Sequence, residues 1–190
     1  MTPFTTLSAR AVALDRANID TDQIIPARFL RKPRSAGYGN FLFFDMPEVR
    51  GAVLGAGVLL AGENFGCGSS REGAVYALVD AGVRCVIAPS FGDIFAGNAG
   101  KNGLLLLPFP ESATAPLHQA IGAGDIVIDL PAQRITAPGG VTLAFEIDPF
   151  RKRMLLEGLD DIGLTLAEAP ALDEWTRQDA AARPWAAPAA

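Results

Sequence analysis

Gly57-Val58-Leu59-Leu60-Ala61-Gly62-Glu63-Asn64-Phe65-Gly66-Cys67-Gly68-Ser69-Ser70-Arg71-Glu72 is the stretch on which the reading of this chain turns. Gly57 to Ala61 is a short apolar run that suits a buried strand. Glycines then turn the chain, Ala74 to Ala81 favours a helix, and Gly82 closes that helix as a C-cap. Outward from there, Val83 to Ala88 reads as a second buried strand, Phe91 to Lys101 as a helix after the Pro89-Ser90 break, and Leu104 to Leu107 as a third strand. This βαβαβ rhythm predicts an α/β domain.

Upstream, Ser8 to Leu14 partly alternates apolar and polar residues, as expected of a strand with one buried face. Residues 15 to 46 carry Asn18, Asp20, Asp22, Pro26, Pro33, Gly37 and Gly39, too many breakers for a long regular element. Downstream, a helix is expected near Ala113 to Ile121, and short strands at 125–130, 133–137 and 141–147, with Pro138-Gly139-Gly140 at one turn. Pro149 can start a last core helix, Phe150 to Glu157. From Ala180 the composition collapses to Ala, Pro and a little Arg, so residues 1–179 read as one domain and 180–190 as a poorly ordered tail.

The chain has 190 residues, 49% of them hydrophobic and 19% charged, which suits one soluble globular unit with a full core. Its net charge of -5 argues against a nucleic-acid partner, which demands an excess of Lys and Arg on one face. No membrane span is expected: the most apolar stretch, Ala52 to Ala61, is too short and too rich in glycine. Met1 to Arg10 lacks the basic and apolar regions of a secretion signal, so the cytoplasm is the expected compartment. Cys67, Cys85 and His118 are widely spread, too few for a self-contained zinc or iron-sulfur site.

The turn Gly66 to Arg71 can present backbone N–H groups to an anion, and the helix that follows adds its N-terminal partial charge. Ser69, Ser70 and Arg71 supply further donors. Ser69-Ser70-Arg71-Glu72 also has the spacing of a capping box, in which Ser69 would bond a free amide and Glu72 would reach back. The turn lacks the Gly-Lys-Ser/Thr of a phosphate-binding loop, the dinucleotide fingerprint and the Gly-x-Ser-x-Gly of a nucleophile elbow.

Glu63 to Glu72 resembles the active-site signature of the aconitase swivel domain. Three further stretches agree with it in chain order. These are Asn18-Ile19-Asp20-Thr21-Asp22-Gln23-Ile24-Ile25-Pro26, Ala88-Pro89-Ser90-Phe91-Gly92-Asp93-Ile94-Phe95 and Gly158-Leu159-Asp160-Asp161-Ile162-Gly163-Leu164-Thr165-Leu166. In that superfamily the free-standing small subunit occurs in isopropylmalate isomerases and their close relatives. The resemblance implies a swivelling β/β/α domain with a mixed sheet flanked by helices. It also implies a hydro-lyase active only with a large subunit that carries the 4Fe-4S cluster, no metal being ligated by this chain. The substrate would be a small hydroxy-dicarboxylic acid, isomerised by dehydration and rehydration.

Carried over by motif, the resemblance makes Ser69 the catalytic base, Arg71 the partner of a substrate carboxylate and Ser70 a further donor. Asp22 matches a family acid near the site, and on its own spacing reads equally as an Asx-turn. Arg28 to Arg34 holds four cations in seven residues, a pattern usual for a solvated face. The family uses this segment to choose the substrate's variable group. Phe29 and Leu30 would then meet an isopropyl group, or Arg31 a third carboxylate. Gly73 stands where the family often has histidine, and the segment Asp45 to Gly57 is short. Citramalate, 2,3-dimethylmalate and homoaconitate therefore stay open beside isopropylmalate, as does a non-catalytic anion-binding module. Cys67 reads as a small buried thiol.

Overall fold

The computed structural model describes residues 1–186. The chain opens with β1 (Thr6–Ala9) and β2 (Ala11–Leu14), then a single-turn helix α1 (Thr21–Ile24), three short 3-10 turns between Ala27 and Phe41, and α2 (Pro47–Val53). There follow β3 (Val58–Ala61), α3 (Glu72–Asp80), β4 (Cys85–Ala88), α4 (Asp93–Lys101), β5 (Leu105–Pro108) and α5 (Glu111–Ala120). The C-terminal part contains β6 (Ile126–Asp129), β7 (Arg134–Ala137), β8 (Val141–Ala144), α6 (Pro149–Glu157), α7 (Asp161–Ala167) and α8 (Ala169–Ala182).

The expected mixture of parallel and antiparallel pairing is divided between two sheets. One is parallel throughout, in the order β2-β3-β4-β5, and the other antiparallel, in the order β1-β6-β7-β8. Alternation along the parallel strands feeds two cores. Leu59, Ala61, Val86 and Ala88 face a cluster built with α1, α3 and α4, whereas Val58, Leu60, Cys85 and Ile87 face α5, α6 and the antiparallel sheet. A strand buried on both faces has to be apolar at every position, and β3 and β4 are.

Ser8 to Leu14 is not one strand. β1 pairs antiparallel with β6, and after Arg10 the chain enters the other sheet as β2, parallel to β3. Arg10 fixes the crossing: its carbonyl accepts from Gly57 and Val58, and its guanidinium donates to the carbonyls of Ala52 and Leu54 at 3.0 and 2.7 Å. Local punctuation sets several helix ends. Asp148 caps α6 through the Arg151 amide, Pro149 occupies its first turn, and Gly158 ends it in the left-handed conformation. Two more helices follow that expected last core helix. Helix α8 runs through Ala182, past the expected start of the tail, and residues 187–190 of that stretch lie outside the described residues.

Candidate active site

The turn after β3 leaves the carboxyl edge of the parallel sheet and is held from two sides. Residues 18–21 lie along it: Asn18 N donates to the Glu63 carbonyl, Gly66 N to that of Ile19 and Thr21 N to that of Cys67, at 2.8, 2.7 and 3.0 Å. The segment after β4 lies on the other side, where Phe65 N donates to the Ser90 carbonyl and Gly92 N to that of Phe65. Gly66, at φ +74°, passes so close to the Phe95 ring that a Cβ would come within 2.3 Å of it. Three of the four family-like motifs thus converge on one turn.

Neither serine caps the helix. The N-cap of α3 is Arg71, without a side-chain hydrogen bond, so the capping box that the spacing allowed does not form. The reason is tertiary: the Ser69 carbonyl accepts the Thr21 hydroxyl at 2.9 Å, which holds Ser69 to Arg71 in a non-helical path ahead of the first turn. Ser69 and Ser70 are exposed, and the N-terminus of α3 is left without a side-chain partner. Such an end attracts an anion. A capping box does occur at α1. There Asp20 accepts from Gln23 N at 2.7 Å, and the Gln23 side chain accepts from Asp20 N at 2.9 Å.

That box points Asp22 at the serine turn. Asp22 Oδ2 lies 2.8 Å from Arg71 Nη2, with the Arg71 side chain 18% exposed and that of Asp22 48%. Asp22 is therefore an ion-pair partner, and the Asx-like role belongs to Asp20. Thr21 was not singled out from the sequence, yet its hydroxyl fixes Ser69. Its signal is a polar residue between two aspartates that is buried in the fold.

The basic loop is packed rather than free. Phe29 stacks on Phe41 with centroids 4.4 Å apart and meets Phe44 edge-on. Arg28 pairs with Asp45, whose carboxyl its hydrogen bond holds below the usual range, and Arg34 lies 3.7 Å above the Tyr76 ring while pairing with Asp80. Leu30 sits against Gly73. Arg31 is exposed. Cys67 is partly exposed, whereas Cys85 is buried and its thiol pKa is pushed up by that burial. Among the described residues no group of three His, Cys, Asp or Glu is arranged to hold a metal ion, and no helix is long and apolar enough to cross a membrane.

Comparison with known proteins gives this geometry a family. The profile of the aconitase C-terminal domain matches residues 54–112, and that described as LeuD_N matches 119–149. The 3-isopropylmalate dehydratase small subunit of Phenylobacterium zucineum is 47% identical, over 97% of this chain and 98% of its own length. That of Xanthobacter autotrophicus is 45% identical, over 97% of this chain and its entire length. The crystal structure of 3-isopropylmalate dehydratase (LeuD) from Methanocaldococcus jannaschii superposes with a TM-score of 0.71 at 30% identity, covering 89% of this chain and 98% of that one. The chain belongs to the family of 3-isopropylmalate dehydratase small subunits, and its fold is the swivel type of the aconitase superfamily.

Proposed function

We propose that this chain, working as a cytoplasmic small subunit, interconverts 2-isopropylmalate and 3-isopropylmalate in leucine biosynthesis, together with a large subunit that carries a 4Fe-4S cluster. The observation that carries the reading is the convergence of Ser69, Ser70, Arg71 and Asp22 at one uncapped helix N-terminus. The described residues offer no ligand set for the cluster. The chemistry assigned to this chain therefore concerns its own side chains.

A carbon beside a carboxylate is a very weak acid, and its deprotonation requires fixed positive charge where the new negative charge develops. Arg71 supplies it. Asp22 Oδ2 meets its Nη2, and the N–H groups that Asp22 does not take would bind a substrate carboxylate. Ser69 is the base. As an alkoxide, stabilised by Arg71 and the N-terminus of α3, it takes the proton from that carbon as the C–O bond to the neighbouring hydroxyl breaks, and returns it during hydration. The large subunit's cluster, when bound, would supply the Lewis acid that helps that hydroxyl leave as water. Ser70 donates to the same substrate oxygens. Phe29, Leu30 and Arg31 form the side of the site that meets the variable group.

Purification of the chain under anaerobic conditions with whatever accompanies it, followed by assay for interconversion of the two isopropylmalates, tests the proposal. Turnover in the presence of a brown iron-sulfur partner supports it. A partner active only on citramalate, 2,3-dimethylmalate or homoaconitate would replace the substrate, and no partner would leave an anion-binding module.

A further inference from the structure

Helices α7 and α8 hold 7 and 14 residues, and neither contributes a described residue to a core. Helices this short are marginal in water without tertiary packing. Ile162 and Leu166 lie four residues apart on one face of α7, and Leu172 and Trp175 three apart on one face of α8. All four side chains belong to residues between 57% and 70% exposed. Large apolar side chains grouped in this way mark an interaction surface. The fourth family-like motif, Gly158 to Leu166, supplies α7.

A short chain of polar contacts ties this surface to the candidate active site. Glu72, next to Arg71, accepts from Asn102 Nδ2 at 2.8 Å. Lys101, the neighbour of Asn102, donates at 2.7 Å to Asp161, the first residue of α7. Helix α7 thus starts at the rim of the face that holds Arg71, the face that the proposed large subunit closes. Charge separates that occupant from a second copy of this chain. Residues 159–186 carry six acids and only two arginines, Arg177 and Arg183, each already paired with an acid of α8. Two such surfaces brought together would set acid against acid, which disfavours self-pairing.

We propose that the apolar faces of α7 and α8 are the surface with which this chain grips its large subunit, on a patch that is apolar with a basic rim. This rests on the reading of the chain as one half of a two-subunit enzyme. The four side chains touch neither core, so charging them leaves the fold intact and removes only the contact.

The test uses the full chain and the cluster-loaded large subunit, handled anaerobically. Kd is measured by titration calorimetry for the wild type, Leu166→Glu, Trp175→Glu and the double variant, and hydrogen exchange of residues 161–182 is followed with and without the large subunit. The expected result for Trp175→Glu is a rise in Kd of at least about thirtyfold, the scale of a lost aromatic anchor. The thermal midpoint of the free chain stays unchanged, exchange at 161–182 slows on binding, and an excess of large subunit restores kcat. A double variant that binds within about twofold of wild type, or exchange at 161–182 that the large subunit does not slow, overturns the proposal and leaves the two-subunit reading standing. Self-association of the free wild-type chain that the double variant abolishes overturns it in favour of a second copy. A wild-type chain that does not bind the large subunit overturns both.

Discussion

In the proposed mechanism Arg71 is the residue on which binding depends, because its planar fork meets Asp22 through Nη2 and has further N–H groups with which to bind a carboxylate. Lysine keeps the charge and loses that geometry. Arg71→Lys is expected to raise KM at least about tenfold in steady-state kinetics, the order of one lost charge-assisted bond. In the same proposal Asp22, paired with Arg71, acts through it as a positioning residue. Asp22→Asn should therefore raise KM with a smaller change in kcat, while an equal fall in kcat alone would place Asp22 on the reacting atoms instead. These roles were legible as residue types in the motifs, but the pairing was not. Sequence spacing leaves Asp22 as an acid or a turn residue, and only the packing of 18–21 along 63–67 brings it to Arg71.

At the scale of elements, α1 is a four-residue helix that persists because both ends of its capping box are satisfied. Asp20→Ala should lower stability by about 1 kcal/mol in urea unfolding, and should lower activity as well, since Asp22 sits on the same turn. Ser69→Ala removes no cap and should stay within about 0.5 kcal/mol of wild type. Most helices and strands could be read from Pro and Gly punctuation and from apolar runs, since those signals are local. The capping-box spacing at Ser69 goes unused because Thr21, far away in sequence, holds the Ser69 carbonyl. The single strand at Ser8–Leu14 failed for a related reason. Alternation reports which face is buried, not which neighbour is hydrogen-bonded, and the partner changes at Arg10.

Across the whole molecule, both cores are complete by Leu155, with Leu156 packed on the edge of the second. Helices α7 and α8 contribute no buried residue, although Ile162, Leu166, Leu172 and Trp175 are large and apolar. Their tie to the body includes the exposed pair Lys101–Asp161 at 2.7 Å, a contact worth no more than about 1 kcal/mol. A chain ending at Gly158 is therefore expected to unfold within about 4 °C of the full chain in a thermal scan; a larger fall would show that the two helices complete the core. The α/β class and the order of elements from β3 to α6 were readable in the sequence. The separation into two sheets was not, because β6 to β8 carry the same alternation whether they extend the first sheet or form another.

In the proposed mechanism this chain brings the base to a site completed by a partner. It is tested most directly by reconstituting the large subunit with wild-type chain and with Ser69→Ala, and following the interconversion of 2- and 3-isopropylmalate. Turnover is expected only when both subunits are present, with a loss for Ser69→Ala of at least about a thousandfold, the upper part of the range for a general base, and with assembly and thermal midpoint unchanged. Near-normal turnover by the Ser69→Ala complex would contradict it.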